Sequence, residues 1–218
     1  LVPIHLSVTA EAMPKKMLQR CPWPVADDEL YLAYHDLEWG VPVHDDQKIY
    51  EFLILETFQA GLSWRTVLHK RDHFRKAFAS FDYRKVARFG AKDLARLMKD
   101  AGIIRNRLKI QAAITNAQRF MEVQKEFGSF ARYMWEAVGG KPILHRFRSV
   151  TDYPPYTDEA LVWAKDLKKR GFKFMGPTVV YAHMQAVGMV NDHTVACFRY
   201  REVQKKSEKK KTNSRRVP

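Results

Sequence analysis

Two cysteines and two histidines carry the first chemistry in the sequence. Cys21 and His35 lie near one end of the 218-residue chain, His193 and Cys197 near the other. Thiolate and imidazole are the donors that a borderline-soft cation such as zinc takes. His193 and Cys197 are four residues apart, one helical turn, so both can face one ion. Four protein donors leave no open coordination position, which makes such a site structural. An ion there would clasp the two ends of the chain across a long loop and add folding free energy. The same residues also read as a buried free thiol pair with two surface or core histidines, and a single disulfide between the ends stays open. With only two cysteines, a disulfide framework is excluded.

A second set lies between residues 23 and 64: Trp23, Tyr31, Tyr34, Trp39, Glu56 and Trp64. Flat aromatic walls stack a nucleobase, and a carboxylate accepts hydrogen bonds from its edge. The plainer alternative is a tryptophan-rich core beside one exposed glutamate. A third segment, LMKDAGIIRNRLK at 97–109, runs from a periodic helix through Ala101-Gly102-Ile103 into a basic stretch with Arg105, Arg107 and Lys109. Gly102 would let the backbone approach a phosphate, and free N–H groups at the next helix start would bind it. An ordinary helix–turn–helix connection with a glycine cap fits the same residues.

The elements that must position these groups read as helices. Ile49, Phe52 and Leu53 recur at helical spacing from Asp46 to Leu55, and Ser63 is a plausible N-cap for a helix through Val67. Asp82 or Tyr83 opens a short helix. Helices follow over 91–100, over 106–127 with Leu108, Ala112, Ile114 and Ala117 on its apolar face, and over 129–138, 157–170 and 176–188. Pro177 suits the first turn of the last. This apolar, glycine-punctuated block reads as a core helix leading to His193. Period-two alternation is nearly absent, so the expected class is all-α.

Lys plus Arg number 38 and Asp plus Glu 24, a net charge of +14. A polyanionic partner follows, nucleic acid before anionic membrane. Residues 201–218 hold eight basic residues against Glu202 and Glu208 and read as a disordered tail. Residues 1–19 read as a flexible leader without the pattern of a secretory signal, and 20–200 as one helical body. No stretch approaches the roughly 18 apolar residues of a membrane helix. HExxH, P-loop, dinucleotide and GxSxG signatures are missing from the sequence.

Taken together, RCPW at 20–23, LYLAYHDLEWGVP at 30–42, LETFQAGLSWRTVL at 55–68, DAGIIRNRLKIQA at 100–112, KRGFKFMGPT at 169–178 and VNDHTVAC at 190–197 resemble the 3-methyladenine DNA glycosylase I family of the helix-hairpin-helix superfamily. The resemblance implies one structural zinc per chain on Cys21, His35, His193 and Cys197. It implies that Glu56 is the catalytic carboxyl and binds the damaged base with Tyr34, that Trp64 stacks on the base, and that Trp39 and Trp23 shape the pocket. Gly61 and Leu62 would press on the DNA, Leu62 as a wedge, while Gly102, Ile103 and Arg105 grip its backbone. Superfamily members usually carry a catalytic Asp after the hairpin, and no Asp stands there in a convincing context. Asp192, next to His193, reads as structural. The implied partner is duplex DNA bearing 3-methyladenine, with the free base as product. The implied protein is a monomer without membrane attachment, working in the bacterial cytoplasm at the nucleoid.

Overall fold

The computed structural model describes residues 18–205, so the leader up to residue 17 and the basic run from residue 206 lie outside the described residues. The chain is built around α2 (Asp46–Gln59). Asp45 caps it by accepting from the Lys48 amide, and every side chain from Ile49 to Phe58 is buried. A helix buried on all sides belongs at the centre of a domain. Around it stand α1 (Glu29–Leu37), α3 (Trp64–His69) and α4 (Arg71–Ala77), then α5 (Tyr83–Val86), α6 (Ala91–Lys99), α7 (Arg107–Phe127) and α8 (Phe130–Glu136). The chain continues through α9 (Asp158–Lys169) and α10 (Pro177–Ala186). α2 touches α3, α7, α8 and α10.

The caps follow the sequence closely. Ser63, Asp82, Asn106, Ser129 and Thr157 each accept backbone amides at the start of their helix, and Pro177 occupies the first turn of α10. Asp46 reaches beyond its own helix, accepting from the amides of Phe130 and Ala131 and so capping α8 as well.

Four features differ from the sequence reading. α1 and α4 were not expected, being short and flanked by charge. Residues 198–205 are helical (α11), with Val203 buried and the Phe198 amide bonded to the Gln19 carbonyl, so the folded body runs from Gln19 through 205. The lone aliphatic Val203 anchors a turn that its basic neighbours made look unstructured. β1 (Ile143–Leu144) pairs in parallel with β2 (Val190–Asn191), a ladder too short to leave an alternating pattern. Finally, the buried stripe of α7 runs through Lys109, Ile110, Ala113, Asn116, Ala117 and Phe120, leaving Leu108 64% exposed.

Candidate functional site

All six side chains of the second set, Tyr31 among them, converge on one cavity of about 220 Å³. Trp23, Tyr31, Tyr34, Trp39, Glu56 and Trp64 line it together with Gln59, Val150, Tyr153, Ala182 and Gln185. α2 delivers Glu56 and Gln59 from its last turns. α1 delivers Tyr31 and Tyr34 at helical spacing. The Ser63 cap fixes Trp64 at the first position of α3. The rings meet at angles rather than face to face, Tyr34 with Trp64 at 5.1 Å between centroids and Trp23 with Trp39 at 4.9 Å.

The cavity is short of hydrogen bonds. Glu56 Oε2 and the indole nitrogens of Trp23 and Trp64 are buried with no partner. Burial alone pushes the Glu56 carboxyl up to about 8, since no cation is near enough to offset it. The Tyr34 hydroxyl is held well above the ordinary phenol range by burial and by Glu56. Unpaired polar groups normally cost stability, so three around one cavity mark a surface built to meet a ligand. Its volume lies below the roughly 300–1,000 Å³ of drug-sized pockets, which suits a single flat ring system.

The wall opposite Glu56 comes from the second half of the chain and was missed in the sequence. Tyr153 sits just after a 3-10 turn at 150–152, and Ala182 and Gln185 share one face of α10. Asp192 holds this wall in place. Its Oδ2 accepts from the Tyr181 hydroxyl at 2.5 Å and from Gln185 Nε2 at 2.8 Å. Its Oδ1 accepts from His145 Nδ1 at 2.5 Å, and its carbonyl accepts from the Tyr153 hydroxyl at 2.8 Å. Asp192 is therefore fully engaged and does not line the cavity.

Directly behind the aromatic wall, Cys21, His35, His193 and Cys197 are all buried, with their donor atoms within 4.8 Å of one another. Both cysteines are free thiols. His193 donates from Nε2 to the Trp39 carbonyl at 3.1 Å, which leaves Nδ1 facing Cys21 Sγ at 3.5 Å and Cys197 Sγ at 3.6 Å. His35 donates from Nδ1 to Asp36 at 2.8 Å and turns Nε2 toward Cys197 Sγ at 3.6 Å. Arg20 in turn grips Asp36 with both its Nε and Nη2. Each ring thus presents a bare nitrogen to the cluster, the arrangement that metal-ligating histidines adopt. The four residues could hold one metal ion. Trp23 packs on His35 at 5.1 Å and Trp39 on His193 at 4.7 Å, so cluster and cavity share a wall.

The third set forms a hairpin between α6 and α7. Asp100 accepts from the Gly102 amide, and Ile103 is buried and anchors the turn. A Cβ on Gly102 would stand 2.7 Å from Nδ1 of the exposed His73 ring, which would have to swing aside. Arg105 and Arg107 are exposed. Lys109, read from the sequence as part of the same basic face, is buried and points inward. Ile103 is likewise buried in the core. At the end of α2, Gly61 turns the chain with φ +82° and Leu62 stands 43% exposed. No helix of the described residues is long and apolar enough to cross a membrane.

Comparison with known proteins agrees with this geometry. The family model described as methyladenine glycosylase matches residues 23–200. DNA-3-methyladenine glycosylase 1 of Escherichia coli (strain K12) is 46% identical over 183 residues, covering 84% of this chain and 97% of its own. A crystal structure of a 3-methyladenine DNA glycosylase I superposes with TM-score 0.80 at 48% identity, over 83% of this chain and 98% of that one. A variant of such an enzyme in complex with 3-methyladenine superposes with TM-score 0.77 at 37% identity, over 79% and 92%. The chain belongs to the methyladenine glycosylase family.

Proposed function

We propose that this chain removes 3-methyladenine from alkylated DNA, hydrolysing the N-glycosidic bond and leaving an abasic site for base excision repair. The observation that carries the reading is the trio of unpaired polar atoms, Glu56 Oε2 and the Trp23 and Trp64 indole N–H groups, inside an aromatic cavity sized for one base.

Methylation at N3 makes adenine formally cationic while it is still bonded to the sugar. Such a base departs neutral, so its bond is weak before any enzyme acts, and neither an acid nor a protein nucleophile is needed. The protein's task is extraction and holding. Flipping costs a few kcal/mol, less for a poorly paired lesion. Aromatic faces attract a cation by roughly 0.5–2 kcal/mol each. Glu56, uncharged at neutral pH while buried alone, ionises when a cation arrives beside it and then accepts charge-assisted hydrogen bonds. A neutral adenine offers no such counter-charge. Water attacks C1′ as the bond breaks. Among the described residues no lysine lines the cavity, and the buried Lys109 has its amine bonded to backbone carbonyls, so no amine there stands ready for a Schiff base and the strand stays intact.

Duplex DNA would be gripped by the hairpin backbone near Gly102 and Ile103 and by Arg105, with Leu62 filling the space the base leaves. The metal we assign to the Cys2His2 cluster is zinc. Cys21, His35, His193 and Cys197 would hold it through two thiolates and two imidazole nitrogens, the donor types that zinc takes, with three of the thiol–imidazole pairs 3.5, 3.6 and 3.6 Å apart. With four protein donors its role is structural. The working unit is taken to be a monomer acting on chromosomal DNA inside the cell.

The test is chromatography of bases released from dimethyl-sulfate-treated DNA. Wild type releases 3-methyladenine, and the DNA is nicked only after alkali. Folded Glu56→Ala releasing the base at the wild-type rate would remove the assigned role.

A further inference from the structure

Lys109 lies in the first turn of α7, the second helix of the hairpin, where its amide is capped by Asn106. Its side chain is 6% exposed and runs into the protein. There the ammonium donates to the Phe58 carbonyl at 2.9 Å and to the Ala60 carbonyl at 2.5 Å. These belong to the last turn of α2, where carbonyls have no partner within the helix and the dipole is negative. Ala60 leads directly into Gly61 and Leu62, and the Leu62 amide closes on the Gln59 carbonyl. The other side of the loop is tied to the hairpin as well. Lys70, at the end of the helix that Trp64 begins, donates to the Ala101 and Gly102 carbonyls.

We propose that Lys109 is a positioning residue that couples the hairpin's grip on the DNA backbone to the seat of the Leu62 loop, so that docking of the hairpin sets the wedge against the base stack. The inference rests on the glycosylase reading above. The placement of this cation is unusual: Arg105 in the turn and Arg107 at the start of α7 face solvent, while Lys109 spans from the hairpin to the end of the helix carrying Glu56. A buried ammonium bridging two carbonyls is a shorter, stiffer link than the half-buried Lys70 contacts at 3.2 and 3.3 Å.

The experiment compares wild type, Lys109→Met and Lys109→Arg on methylated duplex DNA, on the same DNA made single-stranded, and on free 3-methyladenine followed by tryptophan fluorescence. For Lys109→Met, duplex excision drops roughly 10- to 100-fold in kcat. Free-base affinity and single-strand excision stay within about threefold of wild type, and Lys109→Arg recovers most of the duplex rate. Equal losses on both DNA forms, or no loss on either, overturn the coupling. Should Lys109→Met fail to fold, hydrogen exchange of the wild type with an abasic-site duplex decides: amides 61–63 and 104–107 slow together, and slowing of 104–107 alone overturns it. A wild type that releases no base overturns the glycosylase reading itself, whereas a competent wild type with an unaltered Lys109→Met overturns only the coupling.

Discussion

Glu56 holds a proton that the solvent would remove at neutral pH, and this sets the pH behaviour. With its carboxyl near 8 in the free protein, the ionised fraction rises about tenfold per pH unit below that point. Because kcat/KM reports the free enzyme, excision should climb between pH 6 and 8 and level off above. Glu56→Gln should flatten that limb and lower the plateau roughly 10- to 100-fold, the worth of a charged hydrogen bond of about 1.5–3 kcal/mol. Stability moves the other way. A carboxyl raised above its unfolded value binds its proton more tightly when folded, so its ionisation costs stability progressively from about pH 4.5 to 8. Thermal melts of Glu56→Gln should match wild type near pH 4.5 and exceed it increasingly up to pH 8.

At the scale of elements, a buried ion-pair network fastens α2 to α4. Arg71 bonds Glu51 at 2.8 Å and grips both oxygens of Glu38, and Arg75 and Lys48 add to Glu51. Burial would raise the Glu51 carboxyl, yet Arg71 holds it below the usual range. Arg71→Ala takes away the most buried partner of Glu51 and leaves it Arg75 and Lys48, so by urea unfolding it should cost less than the roughly 3–5 kcal/mol of a fully broken buried pair, about 2 kcal/mol. Restoring neutrality with Glu51→Gln should recover much of that. For the hairpin, Arg105→Gln with Arg107→Gln should reduce the log–log salt slope of DNA binding by about 2, measured by fluorescence anisotropy. The helices themselves were largely legible, because caps such as Ser63, Asn106 and Ser129 sit where the apolar period begins. The near wall of the cavity was legible too, since Glu56 interrupts an apolar run and the aromatics cluster in one stretch. The far wall was not. Tyr153, Ala182 and Gln185 enter the cavity through tertiary packing, and locally they read as irregular chain or core helix. Lys109 was misread because a basic run suggests a solvent face, while only the phase of α7 shows that 109 points inward and 108 outward.

Across the whole molecule, the Cys2His2 cluster joins Cys21 to Cys197 and backs the cavity through Trp23 and Trp39. Stripping the metal with a strong chelator, or replacing Cys197 with Ser, should lower Tm by more than about 10 °C. A loss of several kcal/mol at 2–4 °C per kcal/mol gives that figure for a domain of this size. Free-base affinity should fall in parallel, as the two indoles lose their backing. Metal content by mass spectrometry should read one zinc per wild-type chain.

The cavity's two walls are synthesised far apart in time. Tyr34, Glu56 and Trp64 are made first, and Tyr153, Gln185 and then His193 and Cys197 follow much later. A nascent chain therefore carries the Glu56 carboxyl before it has the opposing surface or the second pair of thiol and imidazole donors. The cavity can close only after residue 197 has been made, when both walls and all four donors are present.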